Sequence, residues 1–294
     1  MRLPCCCGAM CLLLSIIGAG KAAEPEDLSS KLEQLGASVR LDAGQPVAID
    51  FTNSKASDDD LKCLKGIDSL KSLKFTGRPI TDAGLEYVFG LPRLKALGLD
   101  DTKVTDAGLK KLVPLKSLEE LYLTRTAVTD AGVEHLSDLA RLRKMRLRGT
   151  KIGDAALLQL SAVKSLQELD LSETAVGDTG VAHLKSLPKL TRLNLWTTRI
   201  TDAATASLGD MPQLVWLNLD NTAVTNAGLP KLKALSNLEF LHLGRTRITD
   251  GGLENLFGLK KLKELHVTNT AATDKGVEKL KAALPDCKIK TGKF

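Results

Sequence analysis

The chain has 294 residues, of which 43% are hydrophobic but only 3% aromatic, and 41 basic side chains face 35 acidic ones for a formal net charge of +6. A surplus that small is ordinary solubility and excludes a nucleic-acid binder built on charge. Beyond the first residues no stretch is apolar enough to anchor the chain in a bilayer.

The amino terminus combines a short basic start (Met1-Arg2), an apolar core over residues 11–18, and the small residues Gly20, Ala22 and Ala23. This resembles a secretory signal peptide over residues 1–22, cut near Ala22 or Ala23 and too short to span a membrane. The expected destination is the periplasm or the extracellular space, with no membrane insertion once the leader is removed. Lipidation is the second reading, but it needs a small residue before the modified cysteine, and Met10 precedes Cys11. Four of the six cysteines fall in the leader, leaving Cys63 and Cys287. At ~4.8 Å per stacked strand these two lie roughly 40 Å apart, far beyond disulfide reach, so the core must hold the fold unaided.

Residues 23–45 read as an amino-terminal cap, with an amphipathic helix over 27–35 and a strand over 38–41. Residues 46–69 form a degenerate first repeat. From Leu70 onward the chain repeats every 24 residues without insertion or deletion, opening at Leu70, Leu94, Leu118, Leu142, Leu166, Leu190, Leu214, Leu238 and Leu262. Positions four and six alternate with polar residues, as in Leu97-Gly98-Leu99, which predicts a short strand with one buried face. Apolar residues three apart follow, such as Leu109, Leu112 and Leu115, and predict a short amphipathic helix. Before each helix stand Thr81, Thr105, Thr129, Gly153, Gly177, Thr201, Thr225, Thr249 and Thr273, all acceptable N-caps. An Asp or Asn comes next in every repeat, placed to suit the positive end of the helix dipole, and helix capping accounts for the whole column.

The pattern L-x-x-L-x-L-x-x-T-x-V-T-D-A-G-L resembles the leucine-rich repeat family in its strand-plus-helix, ribonuclease-inhibitor-like form. It is similar to arrays of planctomycete-type bacteria and to the repeats of F-box proteins, with Thr where the latter carry Cys. The resemblance implies an α/β fold: a right-handed solenoid of about ten 24-residue repeats over residues 46–284, with a parallel concave sheet and outer helices. Residues 285–294 would close it, Pro285 stopping the last helix before a final strand. A lone repeat buries too little apolar surface to offset the ordering of its backbone, so stacking must supply the surplus. The column Thr102, Thr126, Thr150, Thr174, Thr198, Thr222, Thr246 and Thr270 is expected to satisfy turn backbone groups between neighbouring coils. Arg78 interrupts it at an end where a more exposed coil can tolerate the change.

The resemblance also implies binding on the concave face, through strand positions three, five and seven. In the carboxyl-terminal half these are Arg192, Asn194, Trp196, Trp216, Asn218, Asp220, Phe240, His242 and His266. Both tryptophans of the chain fall here, Trp216 beside Phe240 and within stacking reach of Arg192. Exposed aromatics with Arg and amides are what interface centres favour, and the rival account is that the rings stack and stiffen the sheet. The basic stripe Lys144, Arg146 and Arg148 is better explained by cross-strand pairing with Glu120, Glu168 and Asp170. His242 and His266 could hold a metal, but no third ligand is clearly placed, and the Asp column lacks the dense Gly-Asp spacing of calcium solenoids. No metal and no cofactor is therefore expected.

No nucleophile elbow, zinc-protease motif or phosphate loop occurs, so no catalytic residue is assigned. The expected function is a non-enzymatic exported scaffold whose partner is a protein. Envelope polysaccharide is the alternative ligand. An F-box-like adaptor role in ubiquitin ligation is disfavoured, since the roughly 45 residues before the first repeat leave no room for an F-box.

Overall fold

The computed structural model describes residues 25–292; the leader expected over residues 1–22 lies outside them. Twelve strands form one open sheet in sequence order. They are β1 (Ser38–Asp42), β2 (Gln45–Asp50), β3 (Ser72–Lys74), β4 (Ala96–Gly98), β5 (Glu120–Tyr122), β6 (Lys144–Arg146), β7 (Glu168–Asp170), β8 (Arg192–Asn194), β9 (Trp216–Asn218), β10 (Phe240–His242), β11 (Glu264–His266) and β12 (Lys288–Lys290). Only β1 and β2 pair antiparallel; all later neighbours are parallel. In the parallel pairs the register equals the sequence period, so Trp216 lies beside Arg192 and Phe240 beside Trp216. Short α and 3-10 turns pack on the reverse side, and the helices Pro25–Leu35 and Asp274–Ala283 flank the array.

Between sheet and helices runs one continuous apolar core. The Leu, Val and Ile positions of successive coils, among them Leu193, Leu217 and Leu241, are fully buried. Phe51 and Phe75, both fully buried, stack at 5.3 Å in the first two coils, while Tyr87 and Phe257 pack on the core from its margin. Cys63 and Cys287 are free thiols, each pushed up to about 11 by burial. They are poor nucleophiles.

The Thr column behaves differently from the expectation. Each hydroxyl donates to a carbonyl three residues earlier in its own coil, at 2.5–2.8 Å, and does not reach the neighbouring coil. The cause is local: the preceding residue takes the left-handed conformation (φ 51 to 58 at Asp101, Arg125, Glu173, Thr197, Asn221, Arg245 and Asn269), which folds the Thr back over the strand end. Arg78 is half-buried rather than loosely tolerated, and its Nη1 donates to the Ser54 carbonyl of the preceding coil. Thr174→Val should cost about 1 kcal/mol, because the Leu171 carbonyl loses a buried donor while packing is kept. A urea midpoint equal to wild type would show that the hydroxyl is dispensable.

The Asp column is also more than a set of caps. Each side chain accepts from the following coil: Asp82 takes the Thr105 backbone N–H at 2.8 Å and its hydroxyl at 2.5 Å, and Asp202 takes those of Thr225 at 2.7 and 2.6 Å. The same pair of bonds recurs from Asp58, Asp106, Asp178 and Asp250, while Asp130 and Asp154 reach the N–H of Gly153 and Gly177. Held this way by Thr273, the Asp250 carboxyl lies below the usual carboxylate range. A methyl group on Gly132 would collide with Asp106 Oδ1, which is why a glycine follows at this spot in most coils. At the first coil no earlier carboxylate exists, and Ser57 is served by Asp60 of its own turn, at 3.0 Å to both N–H and hydroxyl. Capping in the usual sense survives at Thr105, Thr129, Thr201 and Thr273, whose hydroxyls accept from helix N–H groups. At Thr225 the helix starts only at Leu229, with Pro230 in its first turn, and at Thr81 only a 3-10 turn forms, over Gly84–Tyr87.

Candidate functional site

Strands of three residues leave their odd positions on the exposed side of the sheet while the middle leucine is sealed beneath. Across β8 to β11 this places Arg192, Trp216, Phe240 and Glu264 in one row and Asn194, Asn218, His242 and His266 in the next. Trp196 and Asp220 follow at the strand exits. All nine residues singled out in the sequence lie on this one face, Arg192 exposed, Asp220 buried and the others half-buried.

The aromatic groups are stacked in order. The Trp216 ring lies parallel to Phe240 at 4.8 Å and 7°, and the Arg192 guanidinium covers it at 4.9 Å. Trp196 sits between the guanidinium groups of Arg148, at 4.7 Å, and Arg245, at 5.8 Å. Its indole N–H is buried and has no partner among the described residues. Stacking of the rings on one another, the account that would make them stiffeners, is therefore present, and the rings remain partly exposed on the outward side.

Arg245 was not among the positions read from the sequence, because it stands one residue past the strand exit. Its left-handed backbone (φ 51) turns the side chain back over the face, where it forms a two-pronged ion pair with Asp220. The run of positive-φ residues just before the Thr column was the sequence signal available: Gly77 and Gly149 occupy that position in two coils.

The two histidines differ. His266 Nε2 lies 2.7 Å from Glu264 Oε1, and Lys290 Nζ is 2.6 Å from the same oxygen. Lys290 first, then His266, holds Glu264 down at about 2. His242 Nδ1 accepts from the Gly244 N–H at 3.1 Å, and burial lowers its pKa to about 4. It is neutral at pH 7 and carries its proton on Nε2. The two rings touch, with centroids 4.4 Å apart, but among the described residues no group of three or more metal-ligating side chains is assembled.

On the amino-terminal half the basic stripe is neutralised largely as expected. Lys144 pairs with Glu168 at 3.1 Å, and Arg146 lies within 3.9 Å of both Asp100 and Asp170. Arg148 finds a partner the sequence did not suggest, a forked pair with Glu173. Glu120 instead accepts from the Tyr122 hydroxyl.

A family model described as leucine rich repeat matches residues 164–185 and 234–257. The ectodomain of the Arabidopsis receptor kinase HAESA, solved in complex with an extended IDA peptide hormone, aligns with a TM-score of 0.65 at 15% identity, over 90% of this chain and 47% of that one. Internalin C2 of Listeria monocytogenes aligns with a TM-score of 0.54 at 19% identity, over 90% of this chain and 91% of that one. A TDR receptor gives 0.54 at 15% identity, over 81% of this chain and 46% of that one. The chain thus spans about half the length of the two receptor structures. No curated protein matches the sequence. An open sheet with helical turns on its reverse side, one coil every 24 residues, defines an α/β repeat solenoid. The chain has the leucine-rich repeat fold, and residues 164–185 and 234–257 match that repeat.

Proposed function

We propose that this chain is an exported, non-enzymatic scaffold that binds a protein partner on the concave face of its sheet, through the patch centred on Trp216. The observation that carries the reading is the half-exposed Arg192–Trp216–Phe240 stack, held on a face whose reverse side is fully apolar. An ordered aromatic–Arg cluster loses little entropy on binding and supplies the side chains that dominate interface energetics. The peptide-bound HAESA ectodomain is a precedent for ligand binding by this fold. Export is supported by the apolar run over residues 11–18, and among the described residues no helix is long and apolar enough to cross a membrane.

The test is a pull-down from envelope extracts with the mature chain and its Trp216→Ala variant. The expected result is a protein captured by the first and lost, or weakened by about 2 kcal/mol, with the second. Equal capture by both variants would place the contact elsewhere. A glycan array that lights up while no protein is retained would turn the assignment to envelope polysaccharide.

A further inference from the structure

We propose that the partner presents an extended acidic peptide segment, whose carboxylate oxygens accept hydrogen bonds from Asn194, Asn218 and His242. The inference deepens the concave-face reading and rests on it. Asn194, Asn218 and His242 are register neighbours on β8, β9 and β10, so they form a straight row at the ~4.8 Å spacing of the strands. In each, the one side-chain acceptor is already used by the backbone N–H two residues on. Asn194 Oδ1 accepts from Trp196 at 3.2 Å, Asn218 Oδ1 from Asp220 at 2.9 Å, and His242 Nδ1 from Gly244 at 3.1 Å. An N–H donor cannot be aimed at an amide nitrogen, so these bonds fix the orientation of both amides and the tautomer of the imidazole. What the row offers outward is Nδ2, Nδ2 and Nε2: donors only, with no protein acceptor for any of them among the described residues.

The surroundings point the same way. The carboxylates nearest the row are already engaged: Asp170, the register neighbour of Asn194, by the Ser172 N–H and hydroxyl with Arg146 at 3.9 Å, Asp220 by Arg245, and Glu264 by His266 and Lys290. The indole N–H of Trp196, also a donor, is buried without a partner at the end of the row. In the adjoining row Arg192 is exposed, stacked on Trp216 and 3.9 Å from Glu168, and Lys288 is exposed two strands beyond β10. A donor-only row with exposed basic groups beside it is complementary to a ligand that only accepts. Carboxylates meet that condition, and hydrogen bonds to them are stronger than neutral ones. A sugar hydroxyl can accept from the row too, but without charge, so it gains less there than a carboxylate does. The acidic peptide is therefore favoured over a glycan.

Both tryptophans of the chain lie in this patch, so intrinsic fluorescence reports it directly. The full mature chain is titrated with short oligoglutamate, oligoglutamine and oligolysine peptides and with polygalacturonate. The same titrations are repeated on Asn194→Asp and Asn218→Asp. Aspartate is tolerated at this strand position, since Asp50 and Asp170 accept the same N–H two residues on. The variants should therefore melt with wild type while presenting carboxylate oxygen in place of a donor. The expected result is a saturable emission change with oligoglutamate, weakened roughly tenfold or more by either substitution, as for a lost charge-assisted bond. Oligoglutamine binding as well as oligoglutamate, or affinity unchanged in both variants, would overturn the acidic inference yet leave the concave-face reading standing, because the tryptophans still respond. A response to polygalacturonate alone, or to none of the four, would overturn it too. Capture of a natural partner that leaves the tryptophan emission of the chain untouched would count against the concave face itself.

Discussion

Leu217→Ala should lower the stability of the array by about 2–5 kcal/mol, the usual loss when a buried leucine leaves a cavity its neighbours cannot refill. Leu217 is fully buried and sits between Leu193 and Leu241 of the adjacent coils, so the void would open at the contact of three coils. Trp216, the preceding residue, points to the other face. Its removal takes away one stacked ring pair and one cation–π contact, together about 1 kcal/mol at a half-exposed site. Urea unfolding of the two variants side by side checks the difference. Equal losses would make Trp216 a structural residue and deprive the proposed interface of its centre.

Asp202→Ala should cost about 1–3 kcal/mol, since it removes two charge-assisted bonds to Thr225 and strands an N–H and a hydroxyl at the junction of two coils. Asp202→Asn should be nearly silent. The chain itself contains that exchange: Asn226 stands at the same position one coil later, accepts the Thr249 N–H at 2.9 Å and donates to its hydroxyl at 2.7 Å. Unfolding midpoints that match wild type in both variants would show that the carboxylates merely decorate the surface.

The period, the strand register and the buried leucines were all legible in the sequence, because each depends only on spacing. Two terminal elements were legible as well: the helix Pro25–Leu35 and the strand Lys288–Lys290 fall where an amphipathic run and a post-proline segment had indicated. The bonds of the Asp column were not. Asp106 stands next to Thr105 in its own coil and bonds to Thr129 in the next, and in a repeat of identical residues the two partners cannot be told apart by type. The glycine two residues after most members of the column carried the information, as a place where a neighbouring coil must come close. The nine candidate residues were found together because alternation along a strand sorts faces. That Asn194, Asn218 and His242 had spent their acceptors depends on turns at the strand exits, and Arg245 on a left-handed backbone, neither of which alternation encodes.

The carboxylate bonds between coils all run one way, each Asp serving the coil that follows it. The column therefore has a head and a tail. At the head Ser57 closes on its own Asp60, and at the tail Asp274 stands exposed. Losing coils from the tail leaves behind only a solvated carboxylate, while losing them from the head leaves an amide and a hydroxyl without acceptors. Nothing in this chemistry counts coils. Whole 24-residue units could be added or deleted behind the first one with the bonds of this column re-formed, so the length of the protein, and with it the reach of its sheet, is a quantity that duplication can change without redesigning the Asp column.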